Sequence, residues 1–223
     1  MNLKNYQYDG LTKLLNRQAF HDELEKIMRE SEEMEEPVTL AFADIDRFLE
    51  VNESVGHKAG DLVLLTVVDD LKGLVEEDAI IARYGGDEFA ILFPGKERES
   101  SFLNLEKVRE AVENRRQFNG EHSSFELKIT ISAGIASFPV DAHSVSELLR
   151  MADQAMYRAK ELGGNQVRLA YEECMVPKTS HYTQTQLERL SRLSEKEGIG
   201  EAVLLREALD NLLLKYRITD IDS

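Results

Sequence analysis

The chain is poor in cysteine. Cys174 is the only one in 223 residues, so no intrachain disulfide can form. A reducing compartment such as the cytoplasm is expected. No uninterrupted apolar run approaches the roughly 20 residues that a membrane-spanning helix needs. No secretory leader opens the chain, so neither export nor a membrane partner is expected. Basic residues are also short: 27 Lys and Arg stand against 42 Asp and Glu, a formal net charge of −15. That balance argues against a broad nucleic-acid-binding surface. The deficit is uneven. The first 170 residues hold 20 basic and 32 acidic side chains, a net of −12, and residues 171–223 hold 7 and 10, a net of −3. Within 178–217 the count is 7 to 6, close to neutral.

What is present is richest in Arg83-Tyr84-Gly85-Gly86-Asp87-Glu88-Phe89. Short apolar runs flank it, Ala79 to Ala82 and Phe89 to Phe93, and read as buried strands. A Gly-Gly pair between strands signals a hairpin, since glycine accepts the positive φ of tight turns. The turn then carries Asp87 and Glu88 at the tip of a rigid element. Paired carboxylates suit Mg²⁺, a hard cation that often bridges to substrate phosphates. An acidic surface hairpin is the plainer alternative. Upstream, Val38 to Ile45 reads as a strand ending in Asp44 and Asp46.

Periodicity organises the rest. Helices are expected over 20–34, 58–75 and 102–118, and from Ser144, whose N-cap and Glu147 suggest a capping box. One strand is expected over 125–137, and an edge strand over 166–169. Helices alternating with strands around a central hairpin indicate an α/β sandwich. Residues 1–170 form this domain, 171–177 a linker, 178–217 a second module and 218–223 a tail. The second module reads as a short strand over 178–183 and two helices, from Thr185 to about Glu197 and from Glu201 to Tyr216. So small a unit buries too little to stand alone and wants a partner.

Four ordered motifs resemble the GGDEF family, the diguanylate cyclases. They are Asp9-Gly10-Leu11-Thr12 through Asn16-Arg17, Asp44-Ile45-Asp46-Arg47-Phe48 through Gly60-Asp61, the Arg83 to Phe89 hairpin, and Ala152-Asp153 through Lys160 and Asn165. The resemblance implies a palm-like, nucleotidyl cyclase-like α/β sandwich whose central sheet contains antiparallel strands. It implies condensation of two GTP molecules into cyclic di-GMP by two facing half-sites. It also implies Mg²⁺ or Mn²⁺ on the Asp44 and Asp87 carboxylates with the Ile45 carbonyl, and Glu88 as a second acidic contact. Asp44, Asp87, Glu88 and Lys160 are the implied catalytic set, and Phe48, Asn52 and Asp61 the implied substrate contacts. Asn52 and Asp61 match the guanine readers, since a carboxylate can accept from the N1 and N2 hydrogens that adenine lacks. Asp46 is read instead as a carboxylate making local hydrogen bonds, and His57 as a helix-start residue.

The chain departs from the family at two basic positions, where Leu49 and Gly164 stand. Only Lys160 remains of the basic set expected near the triphosphate. The product-inhibition pattern has Glu76 and Ala79 in the matching places, so feedback through it is not expected.

Residues 178–217 resemble a ribbon–helix–helix module. That resemblance implies an intertwined homodimer whose paired strands enter the major groove of double-stranded DNA. Thr179, His181 and Thr183 would face the groove, with Tyr182 on the core side. Two functions stay open: a cyclase dimerised by its C-terminal module, and a transcriptional regulator whose first domain only binds GTP or cyclic di-GMP. No sensor domain is expected in the few residues before residue 9.

Overall fold

The computed structural model describes residues 7–119, 124–170, 182–197 and 200–215. Backbone contacts divide the chain into two compact units, Met1–Glu173 and Cys174–Ser223.

The first unit runs β1 (Leu15–Asn16), α1 (Arg17–Met34), β2 (Val38–Ile45), α2 (Phe48–Val55), α3 (His57–Leu74), β3 (Ile80–Arg83), β4 (Glu88–Pro94), α4 (Arg98–Asn114), β5 (Gln117–Asn119), β6 (Ser124–Glu126), β7 (Ile131–Phe138), α5 (Val145–Glu161) and β8 (Val167–Leu169). Six strands form one mixed sheet in the order β1-β3-β4-β2-β7-β8. The four inner strands pair antiparallel, and the outer pairings, β1 with β3 and β7 with β8, are parallel.

β2 lies near the middle and all eight of its residues are buried. Successive side chains point to opposite faces. Leu40 and Phe42 meet Phe20, Leu24 and Met28 of α1 and Leu148, Ala152 and Met156 of α5. Ala41, Ala43 and Ile45 belong to the opposite core with Val63, Val67 and Leu71 of α3 and Leu105 and Val108 of α4. Two covered faces explain why β2 reads as a nearly continuous apolar run rather than an alternating one. The same parity turns Asp44 toward the α1/α5 side.

α5 lies very close to the sheet. A Cβ at Gly134 in β7 would fall 1.9 Å from the Met156 nitrogen and 2.4 Å from the Ala152 carbonyl oxygen. Small residues Ala152, Ala155 and Ala159, all fully buried, line the helix there. Only glycine admits this approach, and it fixes where the last turn of α5 lands.

The structure corrects several expectations. The strand expected over 125–137 is two strands in two sheets: β6 pairs with β5 in a separate ribbon, and β7 joins the main sheet. Phe118 and Phe125 stack with ring centroids 5.6 Å apart, which gives the ribbon its own apolar contact. The helix expected over 102–118 spans Arg98–Asn114, because β5 takes Phe118. Phe48–Val55, where no element was expected, is a helix. Ser144 does cap α5, accepting from the Glu147 N–H, but Glu147 reaches back to the His143 N–H, one residue earlier than a capping box requires.

The second unit has α6 (Gln184–Glu197) and α7 (Glu201–Lys215). Thr183 is the N-cap of α6. Its hydroxyl accepts from the Gln186 N–H at 3.3 Å, and the Gln186 side chain accepts from the Thr183 N–H at 2.9 Å. This reciprocal pair is a capping box that sequence reading missed. An open groove of about 300 Å³ within the unit is lined by Tyr182, Leu187, Leu190, Leu193 and Leu205. Among the described residues, no helix is long and apolar enough to cross a membrane.

Candidate active site

Asp44 stands near the end of β2, directly across from Glu88 at the start of β4 in antiparallel register. Asp87 immediately precedes Glu88, and its carbonyl accepts from the Ile45 N–H at 3.3 Å. That bond ties the hairpin tip to the residue beside Asp44. Asp44 is only 4% exposed. Its carboxylate pairs with the Lys160 ammonium at 2.7 Å, Lys160 coming from the last turn of α5. Burial pushes the Asp44 carboxyl up to about 6; the Lys160 bond and charge pull it back, and the charges of Asp87 and Glu88 push it further up. Like charges directly opposite across a sheet repel, so this end of the sheet favours a bound cation.

The hairpin turn differs from expectation. Neither Gly85 nor Gly86 is among the residues with positive φ. Gly85 serves by close approach: a Cβ there would lie 2.7 Å from a Glu88 carboxylate oxygen. The Tyr84 N–H and the Gly85 N–H both donate to the Glu88 carbonyl, at 2.8 and 3.2 Å. Arg83 reaches across the turn to the Gly86 carbonyl at 2.6 Å and to Asp9 at 3.1 Å. Asp9 also accepts from the Thr12 N–H and hydroxyl, each at 2.7 Å. Burial would raise the Asp9 carboxyl, yet the Thr12 bonds and Arg83 outweigh it and leave it below its usual range. Arg17 lies over the Tyr84 ring, 4.6 Å from its centroid. The opening motif is thus the brace of the hairpin. The sequence offered a signal for this in the Asp-x-x-Thr spacing of an Asx-type turn, but nothing that tied it to Arg83.

Asp46 is saturated. It accepts from the Thr130 and Ser132 hydroxyls, each at 2.7 Å, and from the Asn165 N–H at 2.8 Å. The last contact fastens the turn after α5. Asn165 is held further by Arg109, which donates to its side-chain oxygen at 3.0 Å. Gly164 sits in this turn with φ +76°, and a Cβ there would lie 3.0 Å from the Asp46 carboxylate. Leu49, in the first turn of α2, is 70% exposed.

Asn52 lies on α2, and Asp61 is exposed on α3. A Cβ at Gly60 would fall 1.9 Å from the Asn52 side-chain oxygen. Gly60 therefore makes room for that amide. Phe48 is buried and supports the same spot, 3.4 Å from that Cβ position. His57 is exposed as the first residue of α3. Glu76 pairs with Lys96 and accepts from the Asn104 amide at 3.1 Å.

Among the described residues, no three His, Cys, Asp or Glu side chains form a group that could hold a metal. Mg²⁺ usually takes one or two carboxylates and completes its shell with water and substrate phosphates. The Asp44 and Asp87 pair fits that demand, and the Lys160 ammonium already holds the place of a cation on Asp44. In the C-terminal unit, Thr183 spends its hydroxyl on the α6 cap. Thr179 and His181, with most of the expected strand, lie outside the described residues.

Comparison with known proteins agrees with this architecture. Residues 6–166 match the family described as diguanylate cyclase, GGDEF domain, and residues 176–217 match a ribbon-helix-helix domain. The bifunctional diguanylate cyclase/cyclic di-GMP phosphodiesterase MucR of Pseudomonas aeruginosa is 36% identical over 158 residues, covering 71% of this chain and 22% of that protein. The probable diguanylate cyclase DgcT of Escherichia coli is 36% identical over 159 residues, covering 71% of this chain and 34% of that one. The chain thus spans about a third or less of the length of these relatives. The solved GGDEF domain of DgcB from Caulobacter crescentus, in complex with c-di-GMP, superposes with a TM-score of 0.69 at 35% identity, covering 74% of this chain and 94% of that one. Family match, identity and fold coincide on the unit that holds the carboxylate end of the sheet, and the chain belongs to the GGDEF family, with a ribbon-helix-helix domain after it.

Proposed function

We propose that this protein is a diguanylate cyclase that condenses two GTP molecules into cyclic di-GMP. The observation that carries the reading is the convergence of Asp44, Asp87 and Glu88 at one end of the sheet, with Lys160 on Asp44. Mg²⁺ or Mn²⁺ on the Asp44 and Asp87 carboxylates, with the Ile45 carbonyl, would neutralise charge building on the phosphate oxygens. Asn52 and Asp61 orient the guanine, and Asp61 selects it by accepting from N1 and N2. Phe48 backs Asn52. Lys160 supplies a positive charge to the triphosphate. The 3′-hydroxyl oxygen of one GTP then bonds to the α-phosphorus of the other, and pyrophosphate leaves. The same exchange in the opposite sense closes the ring. Two half-sites must face each other, so the active form is a homodimer. The ribbon-helix-helix segment is the device that brings them together, and by its family it also binds double-stranded DNA. With a net charge near neutral over 178–217, that binding is weak.

Incubation with GTP and Mg²⁺ tests the reading. Cyclic di-GMP is the expected product. Asp87→Ala removes a metal ligand and lowers turnover by more than about 100-fold, beyond the loss usual for a residue that only supports a ligand. Undiminished turnover in that variant rejects the metal assignment.

Leu49 favours a second reading. An exposed leucine stands where a phosphate-contacting cation is expected, and one charge-assisted contact is worth about 1.5–3 kcal/mol. In that reading the first unit binds GTP or cyclic di-GMP without turnover and the protein is a transcriptional regulator. GTP binding with no product distinguishes it.

A further inference from the structure

Lys160 faces two claims. The proposed function assigns it to the triphosphate, yet its ammonium sits 2.7 Å from Oδ1 of Asp44, the carboxylate assigned to the metal. We propose that Lys160 is a displaceable cation: it holds Asp44 until nucleotide arrives, then moves to the phosphates and releases Asp44 to the divalent ion. This rests on the assignment of Asp44 to the metal.

The geometry around the pair supports such an exchange. Asp44, Asp87 and Glu88 crowd one sheet end, and the Asp44 side chain is 6% exposed. Water therefore screens the repulsion poorly, and a cation must compensate it. Lys160 can do so because parity aims Asp44 at the α5 side and Gly134 lets α5 sit against the sheet. Asp46, two residues on from Asp44, is not placed to take Lys160 over. Asp46 is committed to Thr130, Ser132 and Asn165, which hold both of its oxygens. The Asn165 bond also anchors the turn after α5, so the helix stays while the side chain swings. The Lys160 side chain is 37% exposed, and a four-carbon stem gives it reach toward solvent and phosphate. An ammonium and a divalent metal on one carboxylate repel each other, so each weakens the other. Triphosphate draws Lys160 away and favours the metal. Metal and nucleotide binding are thereby coupled, and the metal is disfavoured on the empty protein.

The test is Mn²⁺ titration of the full-length protein without nucleotide, with free Mn²⁺ read by electron paramagnetic resonance. Lys160→Met and Lys160→Gln are expected to bind Mn²⁺ at least about fivefold more tightly than wild type, the lower end of typical coupling between sites. Lys160→Arg keeps the charge and is expected to match wild type. The same neutral variants are expected to bind GTP more weakly when metal is withheld, so the two affinities move in opposite directions. Circular dichroism establishes that each variant is folded, and two neutral variants guard against loss of one. Mn²⁺ affinity equal to or below wild type in the neutral variants overturns the proposal. Asp44→Asn separates the causes. If it loses Mn²⁺ while the Lys160 variants gain nothing, displacement fails and the metal assignment stands. If it binds as wild type does, the metal assignment fails and the proposal with it.

Discussion

The two units bury their apolar residues very differently. In the GGDEF unit, Phe20, Phe89, Phe93 and Phe118 are almost wholly inaccessible, and both faces of the sheet are covered. In the helical pair, Leu209 is 54% and Leu212 48% exposed, with Leu187 and Leu193 close behind. The first unit closes its own core. The second leaves a row of leucines for something else to cover. Yet by the proposed chemistry the first unit is the one that cannot work alone, because each half-site holds one GTP. On the proposed function, one unit is complete in fold and incomplete in chemistry, and the other would supply the pairing.

Removing residues 178–223 strikes hardest at that contrast. The truncated protein is expected to remain folded and to fall from dimer to monomer in solution. At submicromolar protein its cyclic di-GMP output per chain is expected to fall about 100-fold, since the partner is no longer tethered at high effective concentration. Light scattering and product assay check both parts. A truncated protein that stays dimeric at full activity breaks the contrast.

Substitutions sharpen it. Phe93→Ala opens a cavity in a closed core and is expected to cost about 3–5 kcal/mol in denaturant unfolding. Leu212→Ala would cost under about 0.5 kcal/mol if that residue faced water in the working protein. A larger loss, growing weaker as protein concentration rises, is the expected result and marks Leu212 as covered by a partner.

The missing cations give a smaller effect. Leu49→Lys adds a charge at an exposed helix position and is expected to raise GTP affinity about tenfold, at the lower end of one charge-assisted contact. Gly164→Arg is a poorer test than alignment alone suggests. Its φ of +76° and the carboxylate 3.0 Å from the Cβ position make any side chain strained there. Lower thermal stability without a gain in affinity is expected for that variant.

A pH response is confined to the GGDEF unit. The Asp44 carboxyl lies near 6 in the folded chain, above its ordinary 3.8. The folded state therefore keeps a proton that the unfolded chain gives up. Stability from this group is present below about pH 4 and is lost as pH rises toward 6. Melting of the truncated protein across that window is expected to show the decline, and Asp44→Asn is expected to flatten it.

Much of the site was legible because its spacing follows local rules. The β2 apolar run ended in acids, the hairpin displayed Asp87 and Glu88, and Ser144 announced α5. Other features were hidden by distance along the chain. Phe125 and Ile131 looked like one strand because both are apolar and in phase. Their separation depends on Phe118 stacking with Phe125 and on the Asp46 N–H bonding to the Thr130 carbonyl. Asp9 and Arg83 are 74 residues apart, and neither carries a mark that names the other.

Sequence alone determined the family, through four ordered motifs, and most of the helices and strands of the GGDEF unit, because those follow from periodicity and turn chemistry; that Asp44 and Asp87 come together was implied only by the family resemblance. Tertiary structure alone decided which donors Asp46 meets and that Asp44 is left to Lys160. Both are aspartates two residues apart at the end of one strand. Their difference comes from β7 and the turn after α5, which supply donors to one carboxylate and a single cation to the other. No local pattern encodes which partners a fold will bring to an atom from 80 to 120 residues away.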